Sequence, residues 1–395
     1  MSQHEVVIAS GVRTPIGAFG GGLSGFSLGD LSSAVTREAV SRAGIAPKEV
    51  GHVVFGNVIH TEPRDMYLAR VAAIQAGLPV ETPALTLNRL CGSGLQAVLT
   101  AADYVRSGEA VCTLAGGGEA MSRAPHWLTT SRWGQRMGDM HAIDAMVGAL
   151  TDPFDNCHMG ITAENIAAEW GISREAQDAF ALESHRRALA AQEAGRFREQ
   201  ILPLTRTTRK GEEILDNDEG PRRGLALETL AAMRPAFRRD NGTVTPGNAS
   251  TLNDGAAALV LMERRYAEAQ GHAYQARLVA TSVVGVDPRY MGIGPVPAIR
   301  ALLEKSGLSR EDIDLWEINE AFAAQALAVI RDLDLDPARV NPNGSGLSLG
   351  HPIGATGAML VVKALHELAR CGGRYAVVSL CIGGGQGIAA LIERG

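Results

Sequence analysis

The chain has 395 residues, of which 46% are hydrophobic and 20% charged, and its formal net charge is -6. These values exclude a disordered chain and a marginal miniprotein, because this length with ordinary apolar content can bury a large core in two or three domains. A net negative charge does not favour binding of the whole protein to nucleic acid or to an anionic membrane. No apolar run approaches the length of a membrane span.

Strand and helix patterns alternate from the start of the chain. Val6–Ala9 is strand-like, Leu28–Ala43 is helical, Val53–Phe55 is strand-like again, and a further helix is expected at about Met66–Ala76. This alternation predicts an α/β protein.

The cysteine content argues against disulfides and metal. The five cysteines are odd in number and show no C-x-x-C spacing, which is not the pattern of a disulfide framework or a zinc cluster. Residues 1–30 contain no basic segment leading into an apolar stretch, so no secretory leader is expected. We therefore predict reduced thiols and a cytoplasmic protein.

One of these cysteines stands at the start of a predicted helix. Cys91 lies in the stretch Asn88–Gly94, and apolar residues recur at helical spacing from Leu95 onward. With Gly92 or Ser93 as the cap, the positive end of the helix would favour the thiolate and lower the pKa of the Cys91 thiol. A small buried cysteine at a tight turn remains the alternative for this stretch alone.

The two ends of the chain resemble each other. Cys91 opens a helix that ends near Gly108 and is followed by a predicted strand, Ala110–Leu114, and a run of three glycines. His351, 260 residues later, opens a helix that ends near Gly372 and is followed by Tyr375–Leu380 and another three glycines. Repeated sequence patterns of this kind indicate duplicated structural units, so we predict a core of two similar halves.

The residues between the halves do not fit the repeat. They include a helical stretch, Ala163–Ala194, and a charged segment, Arg206–Arg223, with no clear strand period. Apolar Ala256–Met262 is expected to be a strand that returns to the first half. The intervening residues are therefore predicted to form an inserted lid or loop domain.

The second half offers partners for a reactive thiol. His351 stands between glycines at a helix start, where the neutral imidazole is favoured and can accept a proton. Cys381 precedes the glycine loop beginning at Gly383, whose N–H groups can stabilise an oxyanion. Asn319 lies at a strand-to-helix junction, where it either caps the helix or positions a water or a substrate carbonyl. Taken singly, each of these residues is compatible with a purely structural role.

Taken together, these motifs resemble the thiolase family, and within it the bacterial acetyl-CoA acetyltransferase and β-ketothiolase group. Asn88–Ala97 is similar to the nucleophile signature, Asn319–Phe322 to the NEAF motif, Gly350–Gly354 to the GHP motif and Cys381–Gly385 to the C-terminal CxG motif. The resemblance covers essentially the whole chain.

The resemblance implies a thiolase-like, five-layered α/β/α/β/α fold. Residues 1–121 with 251–275 would form the half that carries the nucleophile. Residues 276–395 would form the half that carries the histidine and the second cysteine. Residues 122–250 would be a loop domain that covers coenzyme A (CoA).

The resemblance also assigns roles to the catalytic residues. Cys91, activated by His351, would attack an acyl-CoA and carry the acyl group as a thioester, and Cys381 would remove the α-proton of acetyl-CoA. His351 and a water held by Asn319 would stabilise the enolate oxygen. The N–H groups of Cys91 and Gly383 would stabilise the tetrahedral oxyanion. No metal or redox cofactor is implied.

Further residues are implied for CoA binding. Arg222 would lie near the adenine and phosphates, with Arg223 as the alternative one residue away, and Ser250 near the pantetheine. His158 and Met159 would lie beside the acyl region, and Phe322 would line the same tunnel. The family also implies a homo-oligomer, a dimer or a tetramer, with residues 124–137 as a candidate tetramerisation loop.

We therefore expect reversible Claisen condensation of acetyl-CoA with an acyl-CoA, giving a 3-ketoacyl-CoA and CoA, of the synthetic short-chain type. The alternatives are a degradative 3-ketoacyl-CoA thiolase and a non-catalytic acyl-CoA-binding protein. A decarboxylating ketosynthase is disfavoured, because its usual pair of histidines is replaced by one histidine and Cys381.

Overall fold

A computed structural model describes residues 4–209 and 211–395. The chain first forms β1 (Val6–Arg13), β2 (Gly17–Ala18), α1 (Leu28–Ala43), β3 (His52–Gly56), α2 (Leu68–Gln75), β4 (Ala84–Leu87), α3 (Ser93–Arg106) and β5 (Cys112–Ala120). Residues 121–252, called the inserted segment below, contain β6 (His126–Leu128), β7 (Ala142–Asp144), α4 (Ala145–Ala149), α5 (Met159–Glu169), α6 (Arg174–Glu193), β8 (Leu204–Thr208), β9 (Gly211–Leu215) and α7 (Leu227–Ala231).

After the inserted segment the chain returns to the core. It forms β10 (Asn253–Glu263), α8 (Arg264–Gln270), β11 (Ala276–Gly285), α9 (Pro295–Ser306), β12 (Leu315–Ile318), α10 (Ala323–Asp332), α11 (Gly346–Leu349), α12 (Ile353–Cys371), β13 (Tyr375–Ile382) and β14 (Gln386–Arg394). Residues 1–3 of the first predicted domain and Lys210 of the predicted loop domain lie outside the described residues.

The two halves repeat one strand arrangement. In the first half the order is β4-β3-β5-β10-β1, with β3 and β5 parallel and β10 antiparallel to both of its neighbours. In the second half β12 and β13 are parallel, β14 is antiparallel to both of its neighbours, and a bridge from Val340 to Trp316 takes the place of the outermost strand. The predicted repeat is confirmed. The two sheets join through a short β1–β11 pairing.

The buried side chains divide the protein into five layers. One apolar cluster fills the space between the two sheets and contains α3 and α12. A second cluster lies between the first sheet and α1 and α2, and a third lies between the second sheet and α9 and α10. The order α/β/α/β/α matches the predicted fold, and the helices that follow Cys91 and His351 are the two central ones.

Three sequence-based predictions about elements were wrong. The strand expected to end at Leu114 continues through the glycine run to Ala120, because β3 supplies backbone partners as far as Gly117 and β10 as far as Ala120. The stretch Ala163–Ala194 is not one helix, since α5 and α6 are separated by a turn at Gly171, which has a φ of 58°.

The charged segment predicted to lack strands contains the β8–β9 hairpin. Its strands are stabilised by a cross-strand ion pair between Arg206 and Glu213, at 2.6 Å, which a hydrophobic period does not reveal. The predicted return strand is confirmed as part of β10.

The inserted segment packs mainly on the second half, where α5 and α6 contact α10 and α6 contacts α11. A buried ion pair fastens it to the first half, because Asp218 accepts two hydrogen bonds from Arg13 of β1, at 2.6 and 2.9 Å. No helix among the described residues is long and apolar enough to cross a membrane.

Candidate active site

Cys91 lies in a strained turn between β4 and α3. Leu90, the residue before it, has a φ of 45°, a conformation that costs a non-glycine residue roughly 1–2 kcal/mol. Two side chains hold the turn: Asn88 Oδ1 accepts from Leu90 N, at 2.8 Å, and Ser93 Oγ accepts from Arg89 N and donates to Leu90 O, at 2.8 and 2.7 Å. Gly92 occupies the cap position of α3 without a side-chain cap.

His351 lies in a second turn that side-chain hydrogen bonds hold, immediately before α12. Its backbone N–H donates to Asn253 Oδ1, at 2.9 Å. Gly350 has a φ of 108°, and a Cβ there would lie 2.4 Å from Asn253 Nδ2, so only glycine fits. The Asn253 side chain therefore fixes the entry of His351 into the site.

The hydrogen bonds of His351 define its tautomer. Thr356 Oγ1 donates to Pro352 O, at 2.9 Å, and therefore accepts from His351 Nδ1, at 2.7 Å. This assignment leaves Nε2 without a proton, facing Asn319 Nδ2 at 3.3 Å. The ring thus presents its basic nitrogen on the side of Asn319.

The two central helices approach each other backbone to backbone. A Cβ on Gly94 of α3 would lie 2.7 Å from Ala358 N and 3.0 Å from Ala355 O of α12. A Cβ on Gly117 of β5 would lie 2.3 Å from Gly354 O. Glycine at these positions permits the close approach that brings the Cys91 and His351 turns to one cavity.

This cavity has a volume of about 290 Å³ and is mostly apolar. Eight of the ten predicted site residues line it: Cys91, His158, Met159, Ser250, Phe322, His351, Cys381 and Gly383. Asn319 lies behind His351, fully buried, and its Oδ1 has no hydrogen-bond partner within the described part of the chain. Arg222 is not among the lining residues.

Two apolar walls bound the cavity. One, which contains Cys381, consists of side chains from the inserted segment, from the turn between β11 and α9, and from the NEAF motif: Met159, Phe237, Ala249, Met291, Ala321 and Phe322. The other packs around Cys91 itself: Met121, Met146, Ala149, Leu252 and Ile353. A thioester on Cys91 would therefore have apolar surface on both sides.

The resting cysteines are neutral thiols. Burial raises the pKa of the Cys91 thiol to about 11, although hydrogen bonds from the N–H groups of Gly383 and of Cys91 itself act in the opposite direction. Burial also raises the pKa of the Cys381 thiol, and the nearby Cys91 adds to this effect. The sequence-based prediction of a lowered pKa for Cys91 was wrong, because desolvation outweighs the helix end.

The imidazole of His351 is neutral as predicted, but for a different reason. Burial lowers its pKa to about 4, while α12 begins only at Ile353. Burial also lowers the pKa of the His158 imidazole, which stacks on Phe237 with ring centroids 4.7 Å apart. His158 Nδ1 accepts from Gly160 N, at 3.0 Å, and so caps α5. The site thus holds two neutral thiols beside neutral imidazoles.

The remaining predicted residues have clear structural surroundings. Asn319 is not a helix cap, since α10 begins at Ala323 with Phe322 at the cap position. Ser250 N donates to Ala321 O, at 2.9 Å, which ties the inserted segment to the NEAF turn. Arg222 N donates to His185 Nδ1, at 3.2 Å, and its side chain is partly exposed.

Two residues at the site, Thr356 and Glu119, were not predicted from the sequence. Thr356 follows His351 by five residues, and only the helical start of α12 brings its hydroxyl back to the ring. Glu119 follows the glycine run of β5 and accepts a hydrogen bond from Gly354 of the second half, at 2.9 Å. The sole sequence signal for Glu119 is a charged residue at the end of an otherwise small and apolar strand.

Comparison with known proteins assigns the fold to a family. Residues 6–265 match the family model described as "Thiolase, N-terminal domain", and residues 272–394 match "Thiolase, C-terminal domain". The chain belongs to the thiolase family. Among the described residues, no group of three or more His, Cys, Asp or Glu side chains is placed to hold a metal ion.

Individual thiolases are similar over the full chain. Beta-ketothiolase BktB of Cupriavidus necator is 58% identical over 391 residues, covering 99% of both chains. The acetyl-CoA acetyltransferase of Pseudomonas aeruginosa is 49% identical, covering 99% of this chain and 100% of that one. The crystal structure of human mitochondrial 3-ketoacyl-CoA thiolase in complex with CoA superposes with a TM-score of 0.96 at 43% identity, covering 99% of this chain and 98% of that one.

Proposed function

We propose that this thiolase catalyses reversible Claisen condensation of acetyl-CoA with an acyl-CoA to give a 3-ketoacyl-CoA and CoA, and that it is of the synthetic, short-chain type. The observation that carries the proposal is the convergence of Cys91, His351, Cys381 and Gly383 on one apolar cavity. The similarity to beta-ketothiolase BktB and to acetyl-CoA acetyltransferases supports the synthetic type.

In the first step Cys91 is the nucleophile. His351 Nε2 is unprotonated and takes the thiol proton as the sulfur attacks the thioester carbonyl, so that a thiolate need not persist in the resting site. The N–H groups of Cys91 and Gly383 already point at the Cys91 sulfur. They are therefore placed to stabilise the oxyanion of the tetrahedral intermediate. His351 then passes this proton to the departing CoA sulfur, and an acyl group stays on Cys91.

In the second step His351 takes the proton of the Cys381 thiol, and the resulting thiolate removes the α-proton of acetyl-CoA. His351 and a water held by Asn319 stabilise the enolate oxygen, a role supported by the buried Asn319 Oδ1 that has no partner in the described chain. The enolate carbon attacks the Cys91 thioester, the bond to the Cys91 sulfur breaks, the 3-ketoacyl-CoA is released, and the sulfur recovers its proton from His351. Transfer of the acyl group between CoA and Cys91 exchanges one thioester for another and is nearly isoenergetic, whereas the condensation step replaces a thioester bond by a carbon–carbon bond. The supply of reactants therefore sets the direction, and the chain's own residues supply the proton transfers.

CoA would lie between the inserted segment and the second half. Phe322, His158 and Met159 line the cavity beside the acyl end, and Ser250 lies where the pantetheine would enter. Arg222, outside the cavity and partly exposed, is placed to bind the phosphates rather than the thioester. In this proposal residues 122–250 are the loop domain that covers CoA, between core halves 1–121 with 251–275 and 276–395.

The protein would act as a cytoplasmic homo-oligomer, a dimer or a tetramer. The five cysteines are all free thiols, which fits a reducing compartment. Within the candidate tetramerisation loop, residues 124–137, Trp133 is 91% exposed and Met137 is 89% exposed, and large exposed apolar side chains indicate a contact surface.

The test is condensation and thiolysis measured over a series of acyl-CoA lengths, with Cys91→Ala as the inactive control. We expect both directions to run and short chains to be preferred. A preference for long-chain thiolysis would favour the degradative alternative. CoA binding without turnover would favour a non-catalytic acyl-CoA-binding protein.

A further inference from the structure

Glu119 is a buried carboxylate at the junction of the two halves. It lies in β5, opposite Gly255 of β10, with none of its surface exposed. Oε1 accepts from Asn57 Nδ2 and Ile59 N, both at 3.0 Å. Oε2 accepts from Val58 N, at 3.1 Å, and from Gly354 N, at 2.9 Å. One side chain therefore joins the loop after β3 to the first turn of α12.

The second half is shaped to receive this carboxylate. A Cβ on Gly354 would lie 2.6 Å from Glu119 Oε2 and 2.8 Å from Gly118 O. Gly354 stands three residues after His351, so the bond to its N–H fixes the segment that carries the base. The hydrogen bond from Gly354 N to Glu119 Oε2 therefore joins the core half that contains Cys91 to the core half that contains His351.

The charged and titratable surroundings of Glu119 are sparse. The loop Asn57–Ile59 supplies only an amide and backbone N–H groups, and Asp65 acts on Glu119 from the turn before α2. Val58 and Ile59, whose N–H groups bond to Glu119, belong to the apolar cluster that contains Cys91, and the Glu119 charge raises the pKa of the Cys91 thiol. Within the described chain no Arg or Lys side chain hydrogen-bonds to Glu119. All four bonded partners are donors, so the ionised carboxylate suits them best.

We propose that Glu119 is a positioning residue of the thiolase reaction, which holds the His351 segment against the Cys91 turn and whose charge, when the carboxyl is ionised, disfavours the Cys91 thiolate. This inference rests on the proposed function. Removal of the carboxylate should therefore have two effects that can be measured separately. The Cys91 thiol becomes more reactive, and condensation slows because His351 is no longer held in place.

The test compares Glu119→Gln with the wild-type enzyme. Burial raises the pKa of the Glu119 carboxyl to about 8, so at pH 9 the wild type carries the charge that the variant lacks. We expect iodoacetamide to modify Cys91 about threefold faster or more at pH 9, located by peptide mass spectrometry, because removing a nearby like charge lowers the pKa of the thiol. The kcat for condensation should fall about tenfold or more, with the KM for acetyl-CoA within about twofold.

Two further variants separate positioning from general destabilisation. Glu164→Gln removes a buried carboxylate that accepts from the backbone N–H groups of Thr243 and Val244 and shares no hydrogen bond with the Cys91 turn or the His351 turn in the described chain. It should lose stability and leave the rate of Cys91 modification at the wild-type value. Glu119→Asp keeps the charge but is too short to span the same donors, so kcat should fall while Cys91 modification stays at the wild-type rate.

The proposal is overturned if Glu119→Gln retains the wild-type kcat, or if Cys91 modification in it is no faster than in the wild type. If Glu119→Gln does not fold, Glu119→Asp decides: full kcat overturns the positioning role, and a lowered kcat with unchanged Cys91 modification supports it. Modification of Cys91 needs no thiolase turnover. A wild-type enzyme that fails to condense acetyl-CoA would thus count against the proposed function alone.

Discussion

The close approach of α3 and α12 makes Gly94→Ala an informative perturbation. The added Cβ would lie 2.7 Å from Ala358 N, 3.0 Å from Ala355 O and 3.1 Å from Gly354 O. All three are backbone atoms of α12, so no side-chain rotation can relieve the contact. The helices must separate, and with them the turns that carry Cys91 and His351.

The magnitude follows from two opposing terms. Alanine in a helix is favoured over glycine by about 1 kcal/mol. Overpacking in a core usually costs ~1–3 kcal/mol, and the upper end applies here because the contacts are with backbone. Ordinary contact begins at 3.4 Å, so relief requires a separation of about 0.7 Å, and displacement of about 1 Å in an active site can cost roughly 100-fold in rate. We expect a net loss of about 1–2 kcal/mol and acylation of Cys91 slowed ~10- to 100-fold.

Thermal unfolding and the rate of Cys91 acetylation by acetyl-CoA measure the two effects. Gly29→Ala is the matched control, because its Cβ in α1 would meet only side chains, the nearest being Val71 Cγ1 at 3.1 Å. That variant should acylate at the wild-type rate. If Gly94→Ala were as stable as the wild type and acylated as fast, the backbone-to-backbone account of the site would be refuted.

Three other predictions concern protonation, anchoring and the second cysteine. The pKa of His351 is lowered from about 6.5 to about 4, so this residue contributes about 3 kcal/mol of stability above pH 6.5, and that stability is lost as the pH falls through 4. The urea midpoint should therefore drop more steeply over this pH window in the wild type than in His351→Asn. Parallel profiles of the two proteins would contradict this prediction. Asp218→Asn leaves Arg13 buried without its carboxylate and should lower the free energy of unfolding in urea by about 3–5 kcal/mol. The double variant Arg13→Met/Asp218→Leu should recover much of this loss. An unchanged urea midpoint in the single variant would show that the ion pair does not anchor the inserted segment. Cys381→Ala should still form the acetyl adduct on Cys91 but lose condensation, and full condensation in this variant would remove Cys381 from the mechanism.

Much of the architecture could be predicted because it is encoded locally. The helix at Leu28–Ala43 was predicted with its observed bounds, and the helices after Cys91 and His351 were predicted to within about two residues. The repeat placed these two helices at equivalent positions, and the structure confirms both as the central layer. Cys91 and His351 were therefore recognisable as a pair before their distance in space was known.

What the sequence did not reveal depends on tertiary surroundings. The direction of the pKa shift of Cys91 was wrong, since a helix end is visible in a sequence and desolvation is not. Glu119 and Thr356 act through contacts that exist only once the halves or the first turns of α12 have formed. The β8–β9 hairpin was missed because its strands are mostly polar and charged, with one cross-strand ion pair between Arg206 and Glu213, and so show no apolar alternation.

The proposed reaction requires Cys91 to carry the acyl group. The most direct measurement is intact-protein and peptide mass spectrometry after incubation with acetyl-CoA. We expect one acetyl adduct, located on Cys91 and discharged by free CoA. Bound CoA with no adduct on Cys91, or an adduct that persists on another residue in Cys91→Ala with condensation intact, would contradict it.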